Sequence, residues 1–166
     1  MEVSNLWDTK TIVRRIKVNR DRTPLQELDI MESVGGKRII IVEPEALLSF
    51  PSPGKGEEDV EVVFFHLSGH CATAEEVSVQ RAVLGLVDDP FAQLAVNEAD
   101  LVFGYNHDNS MSWKDKDGKS CYLSMVYDPE TGDQYVLLGY KPNRHWFGTS
   151  FGGWWFSGVR KPSLGR

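Results

Sequence analysis

The first regular apolar pattern in the chain covers residues 11–18, with the sequence TIVRRIKV. Ile12, Ile16 and Val18 fall on one face of a strand, whereas Ile12, Val13 and Ile16 share one face of a helix. The β-branched side chains lose less rotamer freedom in a strand than in a helix. The pattern therefore favours a strand.

Two longer apolar runs follow, at 37–43 and 60–66, and both are apolar at successive positions. Such runs are typical of strands that are buried on both faces, so each predicts a central strand of a sheet. Residues 44–50 between them predict one short helical turn. Residues 51–59, PSPGKGEED, predict a surface loop because proline and glycine interrupt regular structure there.

Three segments carry the start signals of helices, in which a capping side chain precedes a proline or a Glu/Gln three residues later. These are Thr23-Pro24 with Gln26, Thr73 with Glu76, and Asp89-Pro90. Gly35-Gly36 is expected to end the first helix. The second helix is expected to run to about Asp88 with an inward stripe of Val79, Val83, Leu86 and Val87. The third is expected to turn Phe91, Leu94 and Ala95 inward.

The last third of the chain has the pattern of strands separated by turns. The predicted strands are 101–105, 111–115, 120–128 and 134–140, with turns at 116–119 and 129–132. Because the helices fall in the middle of the chain instead of alternating with strands, the fold class expected is α+β. We expect a largely antiparallel sheet of about 5–7 strands with two to three helices packed on one face.

The length and composition are those of one globular domain, and they agree with the predicted α+β fold class. The chain has 166 residues, 41% hydrophobic and 25% charged, so we expect a single domain over 1–166. Residues 1–9 and 159–166 are expected to be flexible ends. No apolar run is long enough to span a membrane, and no basic segment followed by an apolar one suggests a signal peptide. Two isolated cysteines do not form a disulfide framework, so we expect a soluble protein in the cytoplasm.

The net charge of −6 is unevenly distributed. Residues 10–22 hold six basic side chains and one acidic side chain, whereas 43–108 hold thirteen acidic and two basic ones. A basic N-terminal segment is one feature of nucleic-acid binding, but the overall acidity argues against that function because it opposes phosphate binding. We expect the oppositely charged segments to pack against each other.

The segment His66-Leu67-Ser68-Gly69-His70-Cys71 joins a predicted strand to a predicted helix, a place where functional side chains are often presented. His66, His70 and Cys71, with His107 from a distant segment, could bind zinc. Gly69 breaks the helical spacing that would put both histidines on one face, and no Glu follows His66 as in zinc hydrolases. We therefore expect no bound metal and no cofactor.

The same residues could instead form a Cys–His enzyme, since Cys71 precedes a helix whose dipole lowers a thiol pKa. Glu75 and Glu76 oppose a thiolate by repulsion, and a free cysteine is usually a small buried apolar residue. We expect Cys71 to have ordinary reactivity. A small hydrolase-like enzyme that depends on a metal or a Cys–His pair, using His66, His70, Cys71 and His107, remains the alternative function.

The most unusual segment is 145–158, HWFGTSFGGWWFSG, which contains three of the five tryptophans. On a strand Trp154 and Phe156 share one face and Trp155 takes the opposite one. The segment is then either a strand buried on both faces or a surface for a partner, because large exposed aromatic patches are uncommon on monomers.

We choose the second interpretation and predict a non-catalytic binding or protein-interaction domain. The expected partner is either a protein or a small planar or apolar ligand. A second copy of this chain, which would form a homodimer, is one form of the protein partner. The predicted binding residues are Arg144, His145, Trp146, Phe151, Trp154 and Trp155.

Overall fold

A computed structural model describes residues 7–51, 54–67, 71–140, 146–147 and 154–160. The described strands are β1 (Trp7–Asn19), β2 (Arg38–Ile41), β3 (Glu57–Leu67), β4 (Cys71–Ala72), β5 (Leu86–Val87), β6 (Asn109–Lys114), β7 (Ser120–Tyr127), β8 (Gln134–Tyr140), β9 (Trp146–Phe147) and β10 (Trp155–Arg160). The described helices are α1 (Pro24–Ser33), a 3₁₀ helix (Pro44–Ser49), α2 (Ala74–Val83), α3 (Pro90–Ala99) and α4 (Phe103–Asn106).

The three predicted helix starts are confirmed. Thr23 and Thr73 each accept a hydrogen bond from the backbone N–H three residues later, and the Gln26 and Glu76 side chains complete both capping boxes. Asp89 accepts from the N–H of Ala92 at the start of α3. These caps form because both partners lie within one turn of chain.

The strand predicted at 11–18 and the meander over 111–140 are also confirmed. β6, β7 and β8 pair in order as antiparallel neighbours. In the turn between β6 and β7, Asp115 Oδ1 accepts from the N–H groups of Asp117 and Lys119. This local hydrogen bonding fixes the turn where the sequence predicts it.

The sheet is larger and less regular than predicted. Eight of the described strands form one mixed sheet in the order β1-β3-β10-β6-β7-β8-β2, with β5 pairing beside β10. The sheet thus has more strands than the 5–7 expected. It is also mixed, since β10 runs parallel to β6 and β2 runs parallel to β8 while the other described pairings are antiparallel. The α+β class itself holds, in one domain.

Two hydrophobic cores lie on opposite faces of this sheet. The first face, which carries Phe64, packs against α1, α3, α4 and the 3₁₀ helix. The second face, which carries Phe65 and Phe156, packs against α2 through Val77. The expectation that all helices cover one face is thus wrong, because strand β3 presents apolar residues to both sides and each side needs a cover.

Four local predictions are corrected. Within the described chain β2 pairs only with β8, so it is an edge strand with Ile40 43% exposed, not a central one. Residues 103–106 form α4 instead of a strand. Helix α2 stops at Val83, because Gly85 adopts a positive φ and turns the chain into β5. The predicted inward stripe is wrong for Val79 and Val83, which are exposed, while Val77 and Arg81 are buried instead. Leu86 is buried and Val87 is half-buried as predicted, but both lie in β5.

Regular structure reaches into the segments that the sequence assigns to the chain ends and to a surface loop. Strand β1 already includes Trp7, which is buried, and β10 continues through Val159 to Arg160. Residues 57–59 of the predicted loop belong to β3. Residues 1–6, 52–53 and 161–166 lie outside the described part.

Candidate functional site

Three strands of the sheet meet at one end. Strand β3 ends at Leu67, directly after His66, while β10 begins at Trp155 and β6 begins at Asn109. Trp155 pairs with His66 on one side and with Asn109 on the other. The backbone N–H of Trp155 also donates to the carbonyl of Asp108 at 2.9 Å. The register of the sheet therefore places residues from three distant parts of the sequence side by side.

The side chains of His66, Phe103, His107 and Trp155 form what we call the aromatic–histidine cluster. The ring centroids of His66 and Trp155 are 4.5 Å apart, and those of His107 and Trp155 are 5.5 Å apart in an edge-to-face arrangement. His107 stacks on Phe103 at 4.7 Å. Phe103 is buried, whereas the other three side chains are half-buried. One indole is thus held between two imidazoles and remains partly open to solvent.

Helix α4 and the turn after it set the position of His107. Its backbone N–H donates to the Phe103 carbonyl at 2.9 Å, and its Nδ1 lies 3.1 Å from the same oxygen. Phe103 in turn packs on Phe64 of β3, at 4.7 Å between ring centroids, and carries the guanidinium of Arg14 over its ring at 5.4 Å. The imidazole therefore rests on a side chain that the core itself fixes.

A buried network of side-chain amides supports the cluster from behind. Asn109 Oδ1 accepts from Gln93 Nε2 and from Asn97 Nδ2, each at 3.0 Å, and Asn109 Nδ2 donates to the His107 carbonyl at 2.9 Å. All three amide residues are fully buried. Because buried polar groups hold their geometry only when they are paired, this network ties the backbone at His107 to helix α3.

Asp108 is the ionisable neighbour of this arrangement. Burial raises the pKa of its carboxyl, while a hydrogen bond of 3.0 Å that Oδ1 accepts from the Tyr127 N–H opposes the shift. The carboxylate holds the start of β6 against the end of β7. Its role here is to connect backbone segments.

Comparisons with known proteins found no relative of this chain: no protein-family model, no curated protein and no solved structure matches it significantly. What can be inferred about function therefore depends on the geometry of the chain itself.

The structure brings part of the predicted site together. His66 and His107, far apart in sequence, contact the same indole of Trp155. Trp154 is half-buried and packs on the second core, on the other face of the sheet. The predicted alternation of Trp154, Trp155 and Phe156 is confirmed, and each face meets a core of the same chain.

Four of the other predicted site residues lie outside the described part of the chain: His70, Arg144, His145 and Phe151. Cys71 and Trp146 belong to the small strands β4 and β9, where Cys71 pairs with Phe147 and Ala72 pairs with Trp146. The positions of the Cys71 and Trp146 side chains lie outside what is described, so their roles stay predictions.

Sequence reasoning missed Phe103 and the amide network. The sequence pattern predicts a strand at Phe103, and nothing within residues 101–105 indicates that this side chain lies beneath a histidine. Gln93 and Asn97 did carry a signal, since they are polar residues four positions apart within an apolar helix. Such residues turn toward the core only when a partner such as Asn109 is available there.

Two findings bear on function classes. Among the described residues, no group of three or more His, Cys, Asp or Glu side chains could hold a metal ion. No helix in the described ranges is long and apolar enough to cross a membrane. What the cluster offers chemically is a partly exposed indole for stacking and two imidazoles that can donate or accept hydrogen bonds.

Proposed function

We propose that this chain is a binding domain whose contact surface is the aromatic–histidine cluster at the end of the sheet. The observation that carries the proposal is the half-exposed indole of Trp155 between the imidazoles of His66 and His107. The partner we infer is a planar or apolar group, presented by a small ligand or by the surface of a protein.

The four residues that follow Trp155 in β10 are buried, so they do not belong to the proposed contact surface. Phe156, Ser157, Gly158 and Val159 are buried in the sheet, so this strand needs no partner to cover it. Both faces of β10 are thus covered by cores of the same chain, and no external partner is needed to bury them. The proposal depends instead on the part of the Trp155 side chain that remains accessible to solvent.

The construction of the cluster supports a binding role. Binding sites work best when rigid elements hold the contacting side chains and a layer of hydrogen bonds supports them. Trp155 is held by two neighbouring strands, and His107 is held by Phe103 and the Asn109 amide. An exposed aromatic ring in such a frame loses little side-chain entropy on binding.

The test compares wild type with Trp155→Phe, His66→Ala and His107→Ala. Amide NMR spectra are recorded while indole and a set of other planar aromatic fragments are added. We expect shifts centred on residues 66, 107 and 155, and binding weakened by about tenfold or more in each variant, as for a contact residue near the centre of an interface. The matched control is Tyr105→Ala, which removes an exposed ring near His107 that packs on Tyr127 instead.

The homodimer form of this proposal is tested by light scattering on the same proteins. A dimer that Trp155→Phe or His107→Ala dissociates, and that Tyr105→Ala leaves intact, supports self-association through the cluster. A monomeric wild type whose Trp155 is shielded from acrylamide and whose spectra do not respond to any fragment contradicts the binding proposal. In that case Trp155 is a core residue.

One observation favours the alternative of a small Cys–His or histidine-dependent enzyme: two of the four residues predicted for it, His66 and His107, contact the same ring. Hydrolysis of p-nitrophenyl acetate separates the two functions. An enzyme should exceed the rate of equimolar imidazole by far more than about tenfold and lose that excess in His66→Ala. A binding domain should not exceed imidazole.

We expect the cytoplasm as the location of the protein, and this location is compatible with both the binding domain and the small enzyme. Its support within the described chain is Cys121, a free buried thiol.

A further inference from the structure

A second candidate site lies on the opposite face of the sheet, in a cleft of about 200 Å³ between α2, β5 and the β6–β7 hairpin. Polar and charged side chains line it: Ser78, Arg81, Asp88, Ser112, Lys114 and Ser120. The aromatic–histidine cluster contributes no residue to this lining. The cleft is therefore independent of the function proposed above.

Arg81 is the unusual member of this group, because it is a buried charge that forms no ion pair within 4.0 Å among the described residues. The residue is 5% exposed, and the carboxylate that acts on its guanidinium from a greater distance is that of Asp88. Nε donates to the carbonyl of Ser157 at 3.0 Å and Nη2 donates to Ser112 Oγ at 3.3 Å. Nη1 donates to no described group.

Arg20 provides the comparison within the same chain. It is about as buried, at 7%, but its guanidinium meets Asp89 at 2.8 Å and Glu58 at 3.0 Å. A buried guanidinium normally has such carboxylates, because removing a charge from water is costly unless an opposite charge replaces the solvent. Arg81 has no carboxylate in direct contact among the described residues, only the more distant one of Asp88, and its aliphatic part packs closely on Gly158 of β10.

Arg81 nevertheless remains charged at neutral pH. Burial lowers the pKa of its guanidinium to about 10, and the carboxylate of Asp88 on the same cleft wall opposes this effect. The charge of Arg81 is therefore present in the cleft under physiological conditions.

Lys114 adds a second positive charge beside the hydroxyl of Ser120, to which its Nζ donates at 3.0 Å. Its ion-pair partner Glu75 is largely exposed, so water and salt screen that pair and an incoming anion can compete with it. With Asp88 as the one acidic residue of the lining, the wall carries a net charge of +1. Three serine hydroxyls add hydrogen-bond donors.

We propose that this cleft binds an oxyanion of the phosphate type, with Arg81 as its buried anchor and Lys114 at its mouth. Guanidinium groups pair with phosphate through charge-assisted hydrogen bonds, and lysine and serine side chains complete such sites. The anion would bring a negative charge into direct contact with the Arg81 guanidinium, where the described residues place no carboxylate within 4.0 Å.

The experiment measures thermal unfolding and isothermal titration with inorganic phosphate at pH 7, with sodium chloride adjusted so that ionic strength is constant. We expect the melting temperature to rise with phosphate concentration, since a ligand that binds only the folded state stabilises it. Lys114→Met should weaken phosphate binding by about tenfold or more, and Arg81→Met should abolish it. Lys116→Met is the matched control, because Lys116 is exposed in the same hairpin and does not line the cleft.

If Arg81→Met does not fold, Lys114→Met and Ser120→Ala carry the test. Glycerol phosphate in a parallel titration distinguishes a free anion from the phosphate group of a larger ligand: tighter binding of the ester supports the latter form of the site. A melting temperature that is the same in phosphate and in chloride overturns the proposal. So does phosphate binding that Lys114→Met and Lys116→Met weaken equally.

Discussion

Arg20 and Asp89 form a bidentate ion pair in which both side chains are 2% exposed, with Nη1 to Oδ1 at 2.9 Å and Nη2 to Oδ2 at 2.8 Å. Asp89 also accepts from the Ala92 N–H and so caps helix α3. The pair therefore fastens the end of β1 to the start of α3. These are the elements that hold one wall of the first core.

Arg20→Met should destabilise the protein by about 3–5 kcal/mol, because it leaves the Asp89 carboxylate buried and unpaired. Urea unfolding monitored by circular dichroism measures the change. Arg38→Met is the control: Arg38 lies 3.4 Å from Asp133 but its side chain is 66% exposed, so its loss should cost less than about 1 kcal/mol. Equal effects of the two substitutions would show that the buried pair contributes no more than a surface pair.

The pKa of the Glu27 carboxyl is raised in the folded protein, so we expect an unusual dependence of the free energy of unfolding on pH. Burial raises its pKa from 4.5 to about 8, the hydrogen bond and repulsion with Glu98 add to this, and Arg22 opposes it. The Glu27 carboxyl lines a surface cleft that Lys17 and Glu57 also line. Because the folded state holds this proton more tightly than the unfolded state, the stabilisation is complete below about pH 4.5 and is lost as the pH rises through 8.

We therefore expect Glu27→Gln to reduce the fall in unfolding free energy between pH 5 and pH 8, and to make the protein more stable than wild type at pH 8 by about 1–2 kcal/mol. Glu32→Gln, on the exposed side of the same helix, should leave the pH profile as it is. If Glu27→Gln and wild type lose stability in parallel over this range, Glu27 ionises normally in the folded protein.

Gly158 allows α2 and β5 to approach the sheet closely. A Cβ at this position would lie 2.7 Å from Leu86 Cβ and 3.1 Å from Arg81 Cγ. Gly158→Ala should therefore destabilise the protein by about 1–3 kcal/mol through overpacking. Gly54→Ala, where the nearest atom would be 3.9 Å away, is the control for the loss of a glycine. Thermal melting of both variants decides whether α2 can move to accommodate one methyl group.

Cys121 should react slowly with alkylating agents. Its side chain is fully buried in the first core, and burial raises the pKa of the thiol although the Ser49 hydroxyl, 3.3 Å away, opposes this. In Cys71→Ser, where Cys121 is the remaining thiol, we expect iodoacetamide at pH 8 to react at least about tenfold more slowly than with a free thiol. A rate equal to that of glutathione, with the fold intact, would contradict this burial.

The candidate site could be predicted only in part. The sequence identified His66 and Trp155 because each stands beside a strong local pattern: an apolar run in one case and a dense aromatic segment in the other. It did not predict that they are neighbours. That contact depends on β10 pairing with β3, and neither segment contains information about the order of strands between them.

Arg81 shows the same limit in the second cleft. Helical periodicity assigned Val79 and Val83 to the buried face of α2, on the general rule that valine is buried and arginine is exposed. The opposite face of α2 packs on the sheet, because the helix that Thr73 caps places Val77 in the second core with Phe65 and Phe156. Arg81 lies four residues after Val77 and therefore on the same face. Only the position of Gly158 beneath Arg81 makes room for the long side chain.

The sequence by itself determined the parts that depend on residues within about four positions of each other: the caps at Thr23, Thr73 and Asp89, and the turn held by Asp115. Hydrogen bonds that close over so short a distance form with little loss of chain entropy, so local chemistry decides them. The tertiary structure decided the order of the strands, the insertion of β10 between β3 and β6, and the grouping of His66, His107 and Trp155. These depend on burying both faces of one large sheet at once, and the free energy of that burial belongs to the whole chain and to no single segment.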